Sequence, residues 1–401
     1  MKIVTLGMSP YIYLSHAKIH SLILKDLFFS HHQVACIATG HDTTYFLPEL
    51  DKDNHPRYYY QFDQHKVPLV PLNHTKDPAI HVYEILKVFS PDIILTIGDF
   101  NDHLYIKAVK MFLDNPIKWL AVLVNYSYPI NEKNKEIIQD LDGIICTNSF
   151  TFKMFQPHLS TKQIKLSYVG STKNETEKSQ HSGFKVMVCG KNTQGDNLPL
   201  IMQALSEINL PDINLYLHTN MFDQGDYDLN LLKERFDPQG LFISFPDKYV
   251  SLIDGYPENE YLEKLLNTDI FINLSVNSAS AISVFESLAC GCWPLMSNTA
   301  CHKDIAHLIA KNNPQFESDE FLVNCTEWMV RGENYINIPH PQDFKEKIKN
   351  LHDKKKGGST LNYQELLNTC NHSSFLKDVR NMIEIVKNSN STLCVENLEE
   401  I

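Results

Sequence analysis

The chain has 401 residues, 43% hydrophobic and 21% charged, enough for two separately cored domains of ordinary globular balance. Its net charge of −12 excludes a broad nucleic-acid-binding face. The nine cysteines include no CxxC pair, and Cys290 and Cys292 are too close for a zinc knuckle, so a reducing compartment without a disulfide framework is expected. The opening MKIVTLGMSP has too short an apolar run for a signal peptide. No stretch reaches the roughly 20 apolar residues that span a bilayer, so a cytoplasmic protein is expected and triplets such as Asn73-His74-Thr75 carry no glycosylation reading.

Short apolar runs alternate with helical patterns along the chain. In the first half, strands are predicted at Lys2–Leu6, Val34–Thr39, Val67–Leu72, Asp92–Ile97, Trp119–Val124, Gly143–Thr147 and Ile164–Val169. Helices are predicted between them at Ala17–Phe29, Ala79–Phe89 and Leu104–Phe112. Continuous apolar strands separated by helices imply a parallel sheet covered on both faces. Asp42–Gln64, rich in Tyr, Asp, Pro and His, reads as an excursion between strands. The polar, aperiodic run Gly170–Gly183 reads as a linker. The alternation then restarts with strands at Lys185–Cys189, Asn214–His218, Leu241–Phe245, Ile270–Leu274 and Trp293–Met296, and with a striped helix at Asn197–Ile208. Lys345–Lys356 reads as a solvated helix face, with peripheral membrane contact as an alternative. Helices are predicted at Tyr363–Leu367 and Phe375–Val386, the latter capped by Ser373. Two doubly wound α/β domains would thus face each other, with ligands bound beyond the carboxyl ends of their strands.

The most informative stretch is Phe271–Asn298, which reads as strand, polar loop, small-residue helix and strand. Glu286 stands inside the helix with Ser283, Ser287 and Cys290 on its polar side. A lone acid among small residues at such a mouth suits holding ligand hydroxyls. Free N–H groups of the loop and first turn, Ser278 to Ser283, suit a phosphate. Ser283 and Glu286 also have capping-box spacing, so closure of a helix terminus is the structural alternative.

Phe285-Glu286-Ser287-Leu288-Ala289-Cys290-Gly291 and Val188-Cys189-Gly190-Lys191-Asn192, the latter followed by Asn197-Leu198-Pro199 and a helix, resemble motifs of retaining nucleotide-sugar glycosyltransferases of the GT-B fold, specifically family 4. The resemblance covers roughly Met1 to Val386. It implies an acceptor-side domain at 1–169, a linker at 170–183, a nucleotide-sugar-binding domain at 184–370, and a crossover helix and tail at 371–401 returning toward the first domain. It also implies that Glu286 accepts the ribose hydroxyls. Gly190, Asn192, Asn197, Ser278, Ser280, Ala281, Ile282 and Ser283 would line the donor site, and Lys191 would neutralise the leaving diphosphate. Tyr256 and Pro257 would meet the base. Departures are Ser278 where the family has its first Glu, Ser280 and Ala281 in place of glycines, Asp196 in place of a Lys, and Lys191 in place of an Arg. An acid at a diphosphate pocket is electrostatically wrong unless it points away.

On the acceptor side, Asp99 follows a buried strand within reach of an acceptor hydroxyl, or else caps the helix after it. Ser9 and His16 follow the first strand. Tyr126 either stacks on a sugar ring or packs at the domain edge. No third ligand accompanies His16 and His20, and the acid pairs at Asp51, Asp140 and Asp226 read as turns and caps, so no metal site is expected. The expected activity is retaining, metal-independent transfer of a sugar from a UDP- or GDP-linked donor to a glycan, lipid or protein hydroxyl, with no cofactor. A non-catalytic binding protein and a nucleotide-sugar epimerase stay open as alternatives.

Overall fold

The computed structural model describes residues 1–72, 77–124, 132–159, 163–172, 178, 182–208, 210, 212–219, 225–246, 255–276, 280–330 and 334–389, the side chains of 132–134, 329–330 and 334–335 excepted. The first sheet contains β1 (Lys2–Met8), β2 (Gln33–Thr39), β3 (Glu49–Leu50), β4 (Pro56–Phe62), β5 (His65–Pro71), β6 (Ile93–Gly98), β7 (Lys118–Leu123), β8 (Gly143–Cys146) and β9 (Ile164–Leu166). The second contains β10 (Phe184–Cys189), β11 (Ile213–His218), β12 (Ile243–Ser244), β13 (Ile270–Asn273), β14 (Trp293–Ser297) and β15 (Leu322–Val323). A separate hairpin pairs β16 (Cys325–Val330) with β17 (Asn334–Pro339). The helices beside the first sheet are α1 (Ser15–Phe29), α2 (Pro78–Phe89), α3 (Ile106–Phe112), α4 (Glu132–Ile138) and α5 (Ser149–Phe155). Those that follow are α6 (Leu198–Ile208), α7 (Leu229–Phe236), α8 (Glu258–Leu266), α9 (Ile282–Ala289), α10 (Ala300–Asn312), α11 (Pro341–Lys356), α12 (Gln364–Thr369) and α13 (His372–Asn388). Among the described residues, no helix is long and apolar enough to cross a membrane.

The apolar strand cores form parallel sheets because helices cover both faces. In β1 and β2 the five central residues are all buried, and in β6 all six are. The first sheet runs β3-β4-β5-β2-β1-β6-β7-β8-β9 and the second β12-β11-β10-β13-β14-β15. Strand order therefore reverses between β1 and β6 in one sheet and between β10 and β13 in the other. The loops leaving these four strands splay apart, and ligands bind in the crevices between them. Ser9 and Asp99 follow β1 and β6, whereas Lys191 and the approach to α9 follow β10 and β13.

Three sequence expectations change. Asp42–Gln64 is not simply an excursion, for β3 and β4 extend the first sheet by antiparallel pairing. β4 is half exposed, so it lacks the continuous apolar run of a parallel strand. The hairpin lacks that run too. Asn371, not Ser373, caps α13, its Oδ1 accepting from Ser374 N at 2.9 Å. The lysine-rich stretch is no bare solvated face: Lys345, Lys354, Lys355 and Lys356 pair with Glu207, Glu320, Asp269 and Asp212. Lys347 is buried and donates to Asp319 O at 2.7 Å.

Helix α13 returns to the first sheet. Val379, Met382, Ile383 and Val386 join the core formed by Ile3, Ile19, Ile97 and Val122. Gly143 permits this approach, since a Cβ there would lie 2.7 Å from Val386 Cγ2. Ile282, the first residue of α9, belongs to the same core. Its burial seats the start of a second-domain helix on the first domain.

Candidate active site

On the first-domain side, β1 and β6 deliver Ser9 and Asp99 to the switch point. Ser9 is fully buried, with its hydroxyl 3.0 Å from His41 Nδ1. Asp99 is 6% exposed and accepts from Asn101 N at 2.9 Å. It caps the 3₁₀ turn Phe100–His103, whereas α3 begins only at Ile106. His16, on the first turn of α1, feels the charges of Asp99 in its own domain and of Lys191 in the other. Burial lowers the His16 pKa most, opposed by the Val124 carbonyl and Asp99 and assisted by Lys191. Its Nε2 is buried with no hydrogen-bond partner among the described residues. Tyr126 lies outside the described residues.

Beyond β10, the loop Gly190–Asn197 folds tightly on itself. Asp196 turns its carboxylate inward, accepting from Lys191 N at 3.1 Å and from the Thr193 hydroxyl at 2.9 Å. Burial raises its pKa against these hydrogen bonds. The acid is thus consumed by its own loop, while Lys191 is exposed. Asn192 is buried against the neighbouring loop and donates to Tyr227 O at 2.7 Å. Asn197 takes the left-handed conformation at φ 54°, which Asn tolerates better than most residues. It ties this loop to the end of β13 by donating to Leu274 O at 2.6 Å.

Ala281, left-handed at φ 46°, is the N-cap of α9 and makes no side-chain cap bond. Ser283 and Glu286 therefore form no capping box; Val284 N donates to Ala281 O at 3.0 Å, and the N–H groups of Ile282 and Ser283 have no preceding helical turn to satisfy them. Ser280, Ala281 and Ile282 are buried, and Ser283 is half-buried. Ser278 lies outside the described residues. Ser287 and Cys290 do not form a polar side for Glu286. They are buried, and Ser287 Oγ donates to Val284 O at 2.7 Å.

Glu286 stands at the domain seam. Its Oε1 accepts from Lys18 Nζ of α1, and its Oε2 from the Tyr261 hydroxyl of α8 at 3.3 Å. Burial opposes the Lys18 charge, but Glu286 and then Glu258 more than offset it, so the ammonium is held above the usual lysine range. Burial, followed by the charges of Cys189 and Glu286, holds the Tyr261 hydroxyl well above its ordinary range. His218 stands 5.0 Å from both the Tyr256 and Tyr261 rings, and burial drives its pKa down to about 4. Pro257 is exposed and is the N-cap of α8.

Sequence reasoning did not find Lys18, Tyr261 or Asp304. The Asp304 carboxylate of α10 accepts from Ser149 N at 2.7 Å and from Ser149 Oγ, bridging to the start of α5 in the first domain. None of the three carries a local signal, because each partner is distant in sequence. Among the described residues, three potential metal ligands converge only at Asp51, Asp53 and His55, which are intermediate or exposed. Asp51 already accepts from Arg57 and from two turn N–H groups.

No protein-family model and no curated protein matches the sequence. Among solved structures, a glycosyltransferase from Rickettsia africae aligns over 97% of this chain and 99% of its own, with 16% identity and a TM-score of 0.64. The apo form of the lipopolysaccharide outer core galactosyltransferase WaaB aligns over 96% and 99%, with 11% identity and a TM-score of 0.61. Pneumococcal O-GlcNAc transferase GtfA, in complex with UDP and GlcNAc, aligns over 97% and 99%, with 9% identity and a TM-score of 0.60. At such identities the likeness is one of architecture: this chain has the GT-B fold, two doubly wound sheets with a helix returning from the second to the first.

Proposed function

We propose that this protein is a retaining, metal-independent glycosyltransferase related to family 4, acting in the cytoplasm. It transfers a sugar from a UDP- or GDP-linked donor to a hydroxyl of a glycan, lipid or protein. The observation that carries this reading is the position of Glu286. It sits at the seam of a GT-B fold, on the helix that opens the second switch point, with Lys191 leaving the neighbouring strand. Its carboxylate accepts the ribose hydroxyls, and the N–H groups of Ile282 and Ser283 meet the diphosphate at the positive end of α9. Lys191 neutralises charge on the departing diphosphate. Ser280, Ala281, Ile282 and Ser283 form the floor of this site, with Gly190, Asn192 and Asn197 shaping the facing loop.

Asp99 and His16, at the switch point of the first sheet, orient the acceptor hydroxyl. Retention proceeds by front-face displacement, in which the leaving phosphate helps take the proton and no protein nucleophile is needed. Closure of the two domains keeps water from competing as acceptor. The hydrogen bonds that Asp196 accepts within its own loop favour catalysis over a non-catalytic binding protein, because they offset part of the anion's charge beside the diphosphate site.

The test is incubation with UDP- and GDP-sugars and an acceptor panel in the presence of a chelator. Product configuration is followed by NMR. Transfer with retained anomeric configuration is expected. Inverted product would refute the mechanism, and binding without turnover across the panel would refute the activity.

A further inference from the structure

The nucleoside end of the proposed donor site is covered by the first domain at two points. Lys18 of α1 donates to Glu286 Oε1, with the lysine side chain 38% and the carboxylate 14% exposed. Tyr13, in the loop before α1, lays its ring on Gly255, where an added Cβ would overlap the Tyr13 Cζ, Cε1 and Cε2 atoms. Gly255 has φ +65°, a conformation that also favours glycine, and it directly precedes Tyr256 of the base-contact loop. The two contacts are independent, since one is an ion pair to α9 and the other a ring against backbone ahead of α8. Both come from the same corner of the first domain, residues 13–18, and both fall on the second-domain groups assigned to ribose and base. With Tyr261 on Oε2, each Glu286 oxygen already holds a protein donor. A ribose diol seeking both oxygens therefore competes with the ammonium for Oε1.

We propose that the Tyr13–Lys18 corner is a latch seated in the nucleoside subsite. A nucleoside diphosphate enters by exchanging Lys18 for ribose hydroxyls on Glu286, while Tyr13 lifts from Gly255. This inference rests on reading Glu286 as the ribose acceptor. The exchange is local and reversible: the Lys18 side chain is 38% exposed and swings back to water, so the latch weakens donor binding without preventing it.

The test is calorimetric titration of the full chain with UDP, GDP and ADP, folding being checked by circular dichroism. Lys18→Met should bind its preferred nucleotide about two- to fivefold more tightly than the wild type at low salt, the range of a half-exposed ion pair. The advantage should shrink as NaCl rises from about 0.05 to 0.5 M, because screening opens the wild-type pair. Lys18→Arg, which keeps the pair, should behave as wild type, and Tyr13→Ala added to Lys18→Met should tighten binding further. If Glu286→Ala loses affinity while Lys18→Met binds no more tightly, the latch falls and the ribose reading stands. Weaker binding by Lys18→Met likewise overturns the latch and makes Lys18 a donor contact. If Glu286→Ala binds as wild type, or no nucleotide binds any of these proteins, the ribose reading fails and the latch with it.

Discussion

Replacing Glu286 by alanine removes the seam carboxylate assigned to the ribose, and the structure sets the size of the effect. Hydrogen bonds to a charged acceptor contribute about 1.5–3 kcal/mol each, and a ribose diol would make two. The same oxygens, however, already hold Lys18 and Tyr261 before the nucleotide arrives. Donor binding exchanges partners rather than creating bonds from nothing, so the expected loss is about 1–3 kcal/mol, or about 5- to 150-fold in Kd. The fold should survive, because the freed Lys18 side chain is 38% exposed and a partly exposed ion pair contributes about 0–1 kcal/mol. The assay is titration of wild type and Glu286→Ala with UDP and 2′-deoxy-UDP, or the guanine pair if GDP is preferred. The two proteins and two ligands form a cycle that isolates the carboxylate–hydroxyl coupling. Wild type should prefer the ribonucleotide, and the variant should bind both forms alike. A variant that retains the full preference would refute the ribose role even if its overall affinity fell.

Three further outcomes follow from the same geometry. Lys191→Ala should lower kcat by about 10- to 100-fold while changing nucleotide affinity only severalfold; equal effects on both would count against a leaving-group role. Asp304→Ala strips the acceptor from the start of α5 and should cost about 1–2 kcal/mol, read as a lowered Tm in thermal unfolding. An unchanged Tm would show that this bridge does not hold the domains together. Burial drives His20, His103, His218 and His302 each down to about 4. Between that value and the unfolded pKa near 6.5 the unfolded chain binds the extra protons, so stability falls as pH drops through this window. From pH 7.5 to 5.5 each histidine should contribute a loss of about 1.3 kcal/mol at most. Thermal scans at those two values test it, and a pH-independent Tm would mean that these rings are not held neutral.

The fold was legible wherever burial is two-sided. Ile93–Gly98 and Phe184–Cys189 announce themselves as apolar runs because helices cover both faces of each sheet. The edge strands escaped for the opposite reason. Tyr58 and Tyr59 are only partly shielded, and the hairpin leaves Trp328 58% exposed. The site was legible in part. The small-residue helix bearing Glu286 stands out by composition, and Gly190-Lys191 by its place after a strand. The capping-box alternative for Ser283 and Glu286 drops out, because the N-cap of the helix is Ala281, two residues earlier.

Local periodicity and composition thus determined two parallel sheets, their helices, and the acid that marks the second switch point, since each depends on neighbours a few residues away. Only the tertiary structure decided what that acid touches. Lys18 lies 268 residues from Glu286 in sequence, and a lysine on an amphipathic helix looks the same whether it faces water or a carboxylate. The choice depends on how the two sheets dock. That docking is fixed by Ile282 in the first-domain core, Asp304 at the start of α5 and α13 across β7 and β8, all long-range contacts that leave no periodic trace in the chain.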